Sequence, residues 1–480
     1  MKDTLETERS AATTKDEMRR RFDRMHAETR SGAVVSAEQR LDRLDRLRKM
    51  LVDNEKAFVE AISNDFGHRS THESRMLDIV LTLNAIRAST KGLRKWMKPS
   101  RRHVDLPFKP GKNWVRYEPL GVIGIMSPWN YPLFLSLGPL VDVLAAGNRA
   151  MLKPSSQTAR TSALLAELIA QTFDESEVTV VTGDHDISDA FSDLPFDHLV
   201  FTGSEAIRKR IMSSAAKNLT PVTLELGGKS PVIVAGDFDV KDAARSISFG
   251  KYLNSGQTCI APDYALVPRE KVEEFAKAMI DHANEKYPNA ATNDDYTSII
   301  SQKAFDRLTG ALEKARRGGA RVMQVADDGS AAGRRKIPPT VVLDAPEKSE
   351  LLTKEIFGPI LPVLPYDSLD EVARYINDRP RPLALYAFSN DQSVLDGIMD
   401  RSISGGVTLN ATMIHPTQES MAFGGVGSSG IGGYHGHEGF KRFSHARSVH
   451  KIGFINGLEK LGPPWGDLAD RAIKFLKNRS

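Results

Sequence analysis

Cysteine is almost missing: Cys259 is the only one in 480 residues. That excludes an intramolecular disulfide and fits a reducing compartment, with the cytoplasm as default. Metal-binding spacings are missing as well. There is no cysteine pair and no HExxH, and His435 and His437 lack acidic or cysteine companions at ligand spacing, so both read as loop polarity. The chain also lacks an excess of one charge. A formal net charge of +4, with no Lys/Arg stripe interleaved with aromatics, excludes a nucleic-acid-binding surface. Long hydrophobic runs are absent: the most apolar stretch, residues 133–147, is too short to cross a bilayer and contains Asp142. The N-terminal region has no apolar signal core, and Asp3, Glu6 and Glu8 argue against a transit peptide.

What remains is ordinary globular composition, 40% hydrophobic and 26% charged, in a chain long enough for two or three domains. Leu41, Leu44, Leu47 and Leu51 recur at helical spacing, and helices are expected near 57–64 and 75–97. Residues 99–119 change character, with proline, basic residues and short alternating pieces at 103–106 and 113–117. These predict exposed strands or a hairpin able to pair with another subunit. From Gly121 strands and helices alternate: strands at 122–126, 149–153, 178–181 and 198–202, helices at 133–146, 158–173 and 187–193. That is a run of βαβ units, hence a mostly parallel sheet covered on both faces, with ligands at the carboxyl ends of its strands. The pattern pauses at Gly227-Gly228, where a domain boundary is placed. It resumes with strands at 231–234, 264–267, 341–343 and 360–364, and helices at 240–253 and 272–287. Residues 467–477 predict a short amphipathic surface helix.

Two nucleotide-binding signatures fail on context. Gly425-Val426-Gly427-Ser428-Ser429-Gly430 has the GxGxxG spacing, but no strand leads in and no helix follows, so it reads as a tight loop. Gly228-Lys229-Ser230 resembles the end of a P-loop with Thr223 where the leading glycine belongs. The chemistry points instead to the loop Asn254-Ser255-Gly256-Gln257-Thr258-Cys259. A thiol of ordinary pKa is only a few per cent thiolate at neutral pH, so a nucleophilic Cys259 needs a partner. Glu225, flanked by leucines at a strand end and followed by two glycines, is either a buried base of raised pKa or an edge carboxylate paired with Lys229. Asn130, in a strand-to-helix turn, is either a donor for an oxyanion or a helix cap.

Pro128-Trp129-Asn130-Tyr131-Pro132, Phe201-Thr202-Gly203-Ser204, Leu224-Glu225-Leu226-Gly227-Gly228-Lys229-Ser230-Pro231, the cysteine loop and Glu355-Ile356-Phe357-Gly358-Pro359 together resemble the aldehyde dehydrogenase superfamily, in its order and over nearly the whole chain. Leu219-Thr220-Pro221-Val222-Thr223-Leu224, Ile260-Ala261-Pro262-Asp263-Tyr264, Phe423-Gly424-Gly425-Val426-Gly427 and Tyr434-His435-Gly436 are similar to its class 3 and coniferyl aldehyde dehydrogenase branch. The resemblance implies an α/β fold in three parts. A Rossmann-like nicotinamide-cofactor domain spans 1–99 and 119–227, an α/β catalytic domain 228–411, and a β-strand oligomerisation arm 100–118 and 412–450; residues 451–480 form the C-terminal surface helix. It implies Cys259 as nucleophile, Glu225 as base, and Asn130 with the Cys259 N–H as oxyanion hole. The cofactor is expected at Lys153, Ser156, Thr202, Gly203, Ser204, Glu355 and Phe357, and the chain is expected to form a homodimer or dimer of dimers with no membrane or nucleic-acid partner.

Two departures bear on the cofactor. Ser156 stands where relatives often carry a glutamate able to bind the ribose and repel a 2′-phosphate, and Arg208 stands where many have glycine. NAD with measurable use of NADP is therefore expected. An aromatic or enal aldehyde is the expected substrate, coniferaldehyde first. A medium- or long-chain fatty aldehyde is the alternative, and a silent protein on the same scaffold the alternative of another class.

Overall fold

The computed structural model describes residues 12–327 and 329–478. Two α/β layers and a small strand ribbon organise them. The first sheet runs Gly430–Ile431, Val222–Glu225, His198–Thr202, Val122–Met126, Arg149–Lys153, Val178–Val180, with the last five strands parallel. Val122–Met126 and His198–Thr202 are buried along their whole length, as strands covered on both faces must be, and this is why they read as unbroken apolar runs. One cover is Phe134–Ala146, buried on almost every face because Leu44, Leu47, Ile86 and Leu93 from two further helices pack against its Leu140 and Leu144. On the opposite face Met18, Phe22 and Met25 of the helix Lys15–Thr29 meet Val122, Met126 and Met151.

The second sheet runs Arg321–Gln324, Thr340–Leu343, Ile360–Tyr366, Tyr264–Pro268, Pro231–Val234, Ala384–Phe388, Gly406–Leu409, and only its first strand is antiparallel. The architecture is α/β, as the alternating pattern predicts.

The ribbon consists of Ser100–Arg102, Lys112–Pro119 and Ser444–Lys451, all antiparallel. The expected hairpin forms, but its first strand is earlier than the 103–106 expected. Pro107 sits inside the single 3-10 turn Leu106–Phe108 and cannot donate to a ladder. The helix expected over 75–97 opens with a wider π turn, Arg75–Val80, between Thr71–Ser74 and Leu81–Trp96. Among the described residues no helix is long and apolar enough to cross a membrane.

Candidate active site

Carboxyl ends of four parallel strands gather at one edge of the first sheet: Met126, Lys153, Thr202 and Glu225 are the last residues of their strands. Glu225 is 2% exposed, and neither carboxyl oxygen has a hydrogen-bond partner among the described residues. Burial pushes its carboxyl well above the usual carboxylate range, opposed by the Arg442 guanidinium. Arg442 itself is held beneath the strand by the Thr223 hydroxyl, 2.8 Å, and the Val222 carbonyl, 3.0 Å. Lys229 does not pair with Glu225. Its ammonium bonds the Asp263 carboxylate and the carbonyls of Leu351, 2.9 Å, and Lys354, 3.0 Å, which removes the edge-carboxylate alternative.

Cys259 follows the helix Val240–Tyr252 in a loop whose backbone is left-handed at three consecutive residues, Asn254 (φ 50°), Ser255 (φ 51°) and Gly256 (φ 70°). At Gly256 a Cβ would lie 2.3 Å from the Gly358 carbonyl oxygen, so the loop requires glycine there. Such a conformation persists only when its surroundings over-determine it. Gln257 spends its whole side chain on this, donating to the carbonyls of Asn254, 3.1 Å, and Ser298, 3.0 Å, and accepting from Ile300 N–H at 2.9 Å. The Asn254 N–H donates to Glu73 Oε1 at 2.9 Å, and the Ser255 hydroxyl donates to the Thr297 carbonyl. Cys259 keeps partial exposure. Burial of the sulfur, reinforced by Glu355 and Glu225, pushes the thiol up to about 12, while the N–H groups of Cys259 and Ile260 oppose the rise. Both shifts run towards the uncharged form, as burial without a charged partner dictates.

Asn130 is 3% exposed and donates from its side-chain amide to the Gln257 carbonyl at 3.2 Å, which joins the turn to the cysteine loop. It does not cap the following helix. Asp78 does, accepting from the N–H groups of Leu133 at 3.0 Å and Phe134 at 3.1 Å. The Asn130 carbonyl accepts from Arg69 and from the Asn254 amide, each at 3.2 Å. Arg69 pairs with Asp78 at 3.1 Å, both side chains wholly buried. Arg69, Glu73 and Asp78 form a frame behind the two loops that sequence reasoning missed. They lie far away in sequence, and nothing in their own spacing marks them.

Glu355 lies on Gly227-Gly228. Its Oε1 accepts from Gly228 N–H at 3.0 Å, and a Cβ on Gly227 would come within 2.1 Å of that oxygen. Burial, with Asp263 adding to it, pushes Glu355 up to about 8. Phe357 takes a left-handed φ of 52° and sets its ring edge-on to Trp129, 5.4 Å between centroids. Lys251, also missed, is wholly buried with no hydrogen-bond partner for its ammonium among the described residues, and burial pulls it down to about 8.

The remaining candidates border the first sheet. Lys153 is 3% exposed, donates to the Pro154 carbonyl at 3.0 Å and is lowered to about 8 by burial, with Asp184 opposing. Ser156 is exposed in the short turn Ser156–Thr158. Gly203 donates its N–H to the Glu225 carbonyl at 3.0 Å, and Ser204 caps the helix Glu205–Ala216 with its hydroxyl unused in the cap. Arg208 on that helix donates to the Ser428 carbonyl at 2.7 Å. Ser428 belongs to the glycine loop, whose Gly430–Ile431 pairs antiparallel with Val222–Glu225 and so borders the base. His435 is not loop polarity. It is 4% exposed, with its ring stacked on Phe423 at 5.6 Å. His437 stacks on Trp96 at 5.5 Å.

With this geometry in view, the comparisons are consistent. The profile described as "Aldehyde dehydrogenase family" matches residues 4–449. The chain is 46% identical, over 95% of both chains, to a probable coniferyl aldehyde dehydrogenase of Pseudomonas aeruginosa. Its fold superposes on Staphylococcus aureus AldH in a substrate-bound state with TM-score 0.90 and 35% identity, covering 95% of this chain and 99% of that one. A Mycobacterium tuberculosis aldehyde dehydrogenase complexed with NAD+ follows at TM-score 0.83 and 27% identity, covering 92% of each.

Proposed function

The chain belongs to the aldehyde dehydrogenase family, and from that premise we propose that it oxidises an aromatic or enal aldehyde, coniferaldehyde to ferulate in the specific case, through a covalent intermediate on Cys259. One observation carries the mechanism: a buried carboxyl with no hydrogen-bond partner among the described residues, Glu225, is close enough for its charge to act on the only thiol, and Asn130 is tied to that thiol's loop. Cys259 adds as thiolate to the aldehyde carbon, its proton leaving to the solvent that reaches this partly exposed residue. The new oxyanion is held by the Asn130 amide, whose bond to the Gln257 carbonyl fixes its plane and leaves its second N–H to donate, and by the Cys259 N–H. Loss of two electrons together with the proton of the aldehyde C–H from the adduct leaves a thioester on Cys259. Glu225 then takes a proton from water as the water attacks, and the acid departs with the thiol restored.

A nicotinamide dinucleotide goes with the family, and when bound it supplies the two-electron acceptor. The residues present fit it. Ser204 and Gly203 stand at the N-terminus of a twelve-residue helix at a strand end, where phosphate oxygens find N–H donors. Lys153, Ser156 and Thr202 line the same sheet edge for the adenosine end, and Glu355 and Phe357 suit the nicotinamide ribose. With no acid at Ser156 we assign NAD as the main cofactor with NADP also used. The cofactor part is 1–99 with 119–227, of which residues 1–11 lie outside those described, and the catalytic part 228–411. The arm is 100–118 with 412–450, joining a dimer or dimer of dimers, and 451–480 is the C-terminal surface segment. A chain that sediments as a monomer at micromolar concentration overturns the assignment of the arm.

The test is an aldehyde panel with either cofactor, followed by cofactor absorbance. Coniferaldehyde is expected to give a higher kcat/KM than hexanal or decanal, and preference for the aliphatic aldehydes refutes the substrate assignment.

A further inference from the structure

A run of rings lies beside the loop that carries the thiol. Phe134, four residues after Asn130, meets the edge of His435 at 6.1 Å; His435 stacks on Phe423 at 5.6 Å and 22°; Phe423 faces His415 at 6.3 Å; and His415 lies 6.3 Å from Tyr386. One end of this wall reaches the nucleophile's loop, and Phe423 in its middle packs on the same core cluster as Cys259. The Tyr386 hydroxyl donates to the carbonyl of Ile260, the residue after Cys259, at 2.6 Å. Tyr434, next to His435, feels the charges of Glu225, Asp142 and Cys259 together.

Three buried polar atoms on this apolar wall have no hydrogen-bond partner among the described residues: His435 Nδ1, Glu419 Oε2 and His415 Nε2. His435 is held by its backbone, whose N–H donates to Asp142 Oδ2 at 3.0 Å, and it keeps a φ of 103° that a side-chain-bearing residue rarely adopts. Such strain is retained where a side chain must be delivered to one place. Glu419 reaches the same corner: its charge raises Asp142, and its carbonyl lies against Gly436. Buried polar atoms left unpaired are unfavourable, so a protein that keeps them on a substrate wall has a ligand to pair them with.

We propose that His435 and Glu419 form a polar subsite for the phenolic hydroxyl of a 4-hydroxyaryl aldehyde, a refinement that rests on Cys259 being the nucleophile for aldehydes. A phenol suits the pair because it both donates and accepts one hydrogen bond, while its ring stacks within the run Phe134–His435–Phe423. Burial lowers His435 to about 4, so the imidazole meets the phenol uncharged. An aliphatic aldehyde, or an aryl aldehyde without the hydroxyl, leaves both atoms unpaired, and sites built around a hydroxyl discriminate strongly against analogues that lack it.

The experiment compares kcat/KM for 4-hydroxy-3-methoxycinnamaldehyde with that for cinnamaldehyde, in the wild-type enzyme and in His435→Phe, Glu419→Leu and the milder Glu419→Gln. The wild-type ratio is expected at about tenfold or more in favour of the phenol, falling to about one in His435→Phe and Glu419→Leu and to an intermediate value in Glu419→Gln. The ratio is internal to each variant, so partial loss of folded protein does not alter it. Should a variant not fold, the wild-type ratio and the two others decide. A wild-type ratio near one, or a ratio unchanged in the variants, overturns the subsite while leaving the dehydrogenase reading intact. No turnover of either aldehyde by the wild type refutes that reading and the subsite with it.

Discussion

Replacing Glu225 by glutamine separates the two halves of the chemistry. The carboxyl is 2% exposed and neither oxygen accepts a hydrogen bond among the described residues, so an isosteric amide breaks no contact that holds the strand end. What disappears is the base. General-base assistance is worth about 10²–10⁴-fold, a barrier change of about 3–5 kcal/mol at about 1.4 kcal/mol per decade. If Glu225 acts on the water that cleaves the thioester, Glu225→Gln leaves the first oxidation in place. Stopped-flow absorbance then shows a burst approaching one reduced cofactor per subunit, followed by a steady state about 10²–10⁴-fold below wild type. The pH dependence has a definite sign. Burial raises the carboxyl well above the usual range, so the base form is lost as pH falls through that raised value. The wild-type steady-state rate falls on the acid side there, and the variant lacks this limb. A variant without a burst would place Glu225 before cofactor reduction, and one with wild-type kcat would remove it from the mechanism.

Asp78→Asn leaves the wholly buried Arg69 without its carboxylate, and breaking such a pair costs about 3–5 kcal/mol; a thermal or urea midpoint lowered accordingly, and partly recovered in Arg69→Met/Asp78→Asn, checks the frame, whereas a shift under about 1 kcal/mol refutes it. Burial lowers Lys251 to about 8 from 10.5, so between those values the unfolded chain binds a proton the folded chain has shed, and stability rises with pH across that window. Lys251→Met should flatten the rise by about 2 kcal/mol between pH 8 and 10, measured by urea denaturation at those two values; a variant curve parallel to wild type would place the lysine in solvent. Ser156→Glu introduces an acid at an exposed position beside Lys153 and is expected to lower kcat/KM for NADP about tenfold or more relative to NAD; an unchanged cofactor ratio would move the ribose elsewhere.

The first sheet was legible because its strands are buried on both faces. Val122–Met126 and His198–Thr202 are short apolar runs between turn signals, and their order follows from βαβ handedness. The second sheet was read only in part. Gly406–Leu409 is half-buried along its length, and Arg321–Gln324 is an antiparallel edge carrying polar residues at both ends, so neither gives an apolar run. Gly430–Ile431 is two residues long and exists because Val222–Glu225 offers an edge. Ser444–Lys451 pairs with Lys112–Pro119 more than 300 residues away, on a surface where alternation is polar.

In the site, Cys259, Glu225 and Asn130 stood out because each is a chemically capable residue in an odd local setting. Their supports did not. Glu73 meets the loop at Asn254 from 181 residues away, Arg69 reaches Asn130 from 61, and Asp78 caps a helix 55 residues later. His435 was misread for the same reason: an imidazole between glycine and tyrosine looks like surface loop until Phe134 and Phe423 close over it.

The covalent bond itself is open to direct measurement. Glu225→Gln mixed with NAD and coniferaldehyde, quenched in acid within the first turnover and digested, should yield the peptide containing Cys259 carrying the feruloyl group as a thioester, near one per subunit and in step with reduced cofactor. Reduced cofactor formed with that peptide unmodified, or with the acyl group on any other residue, contradicts a mechanism built on Cys259.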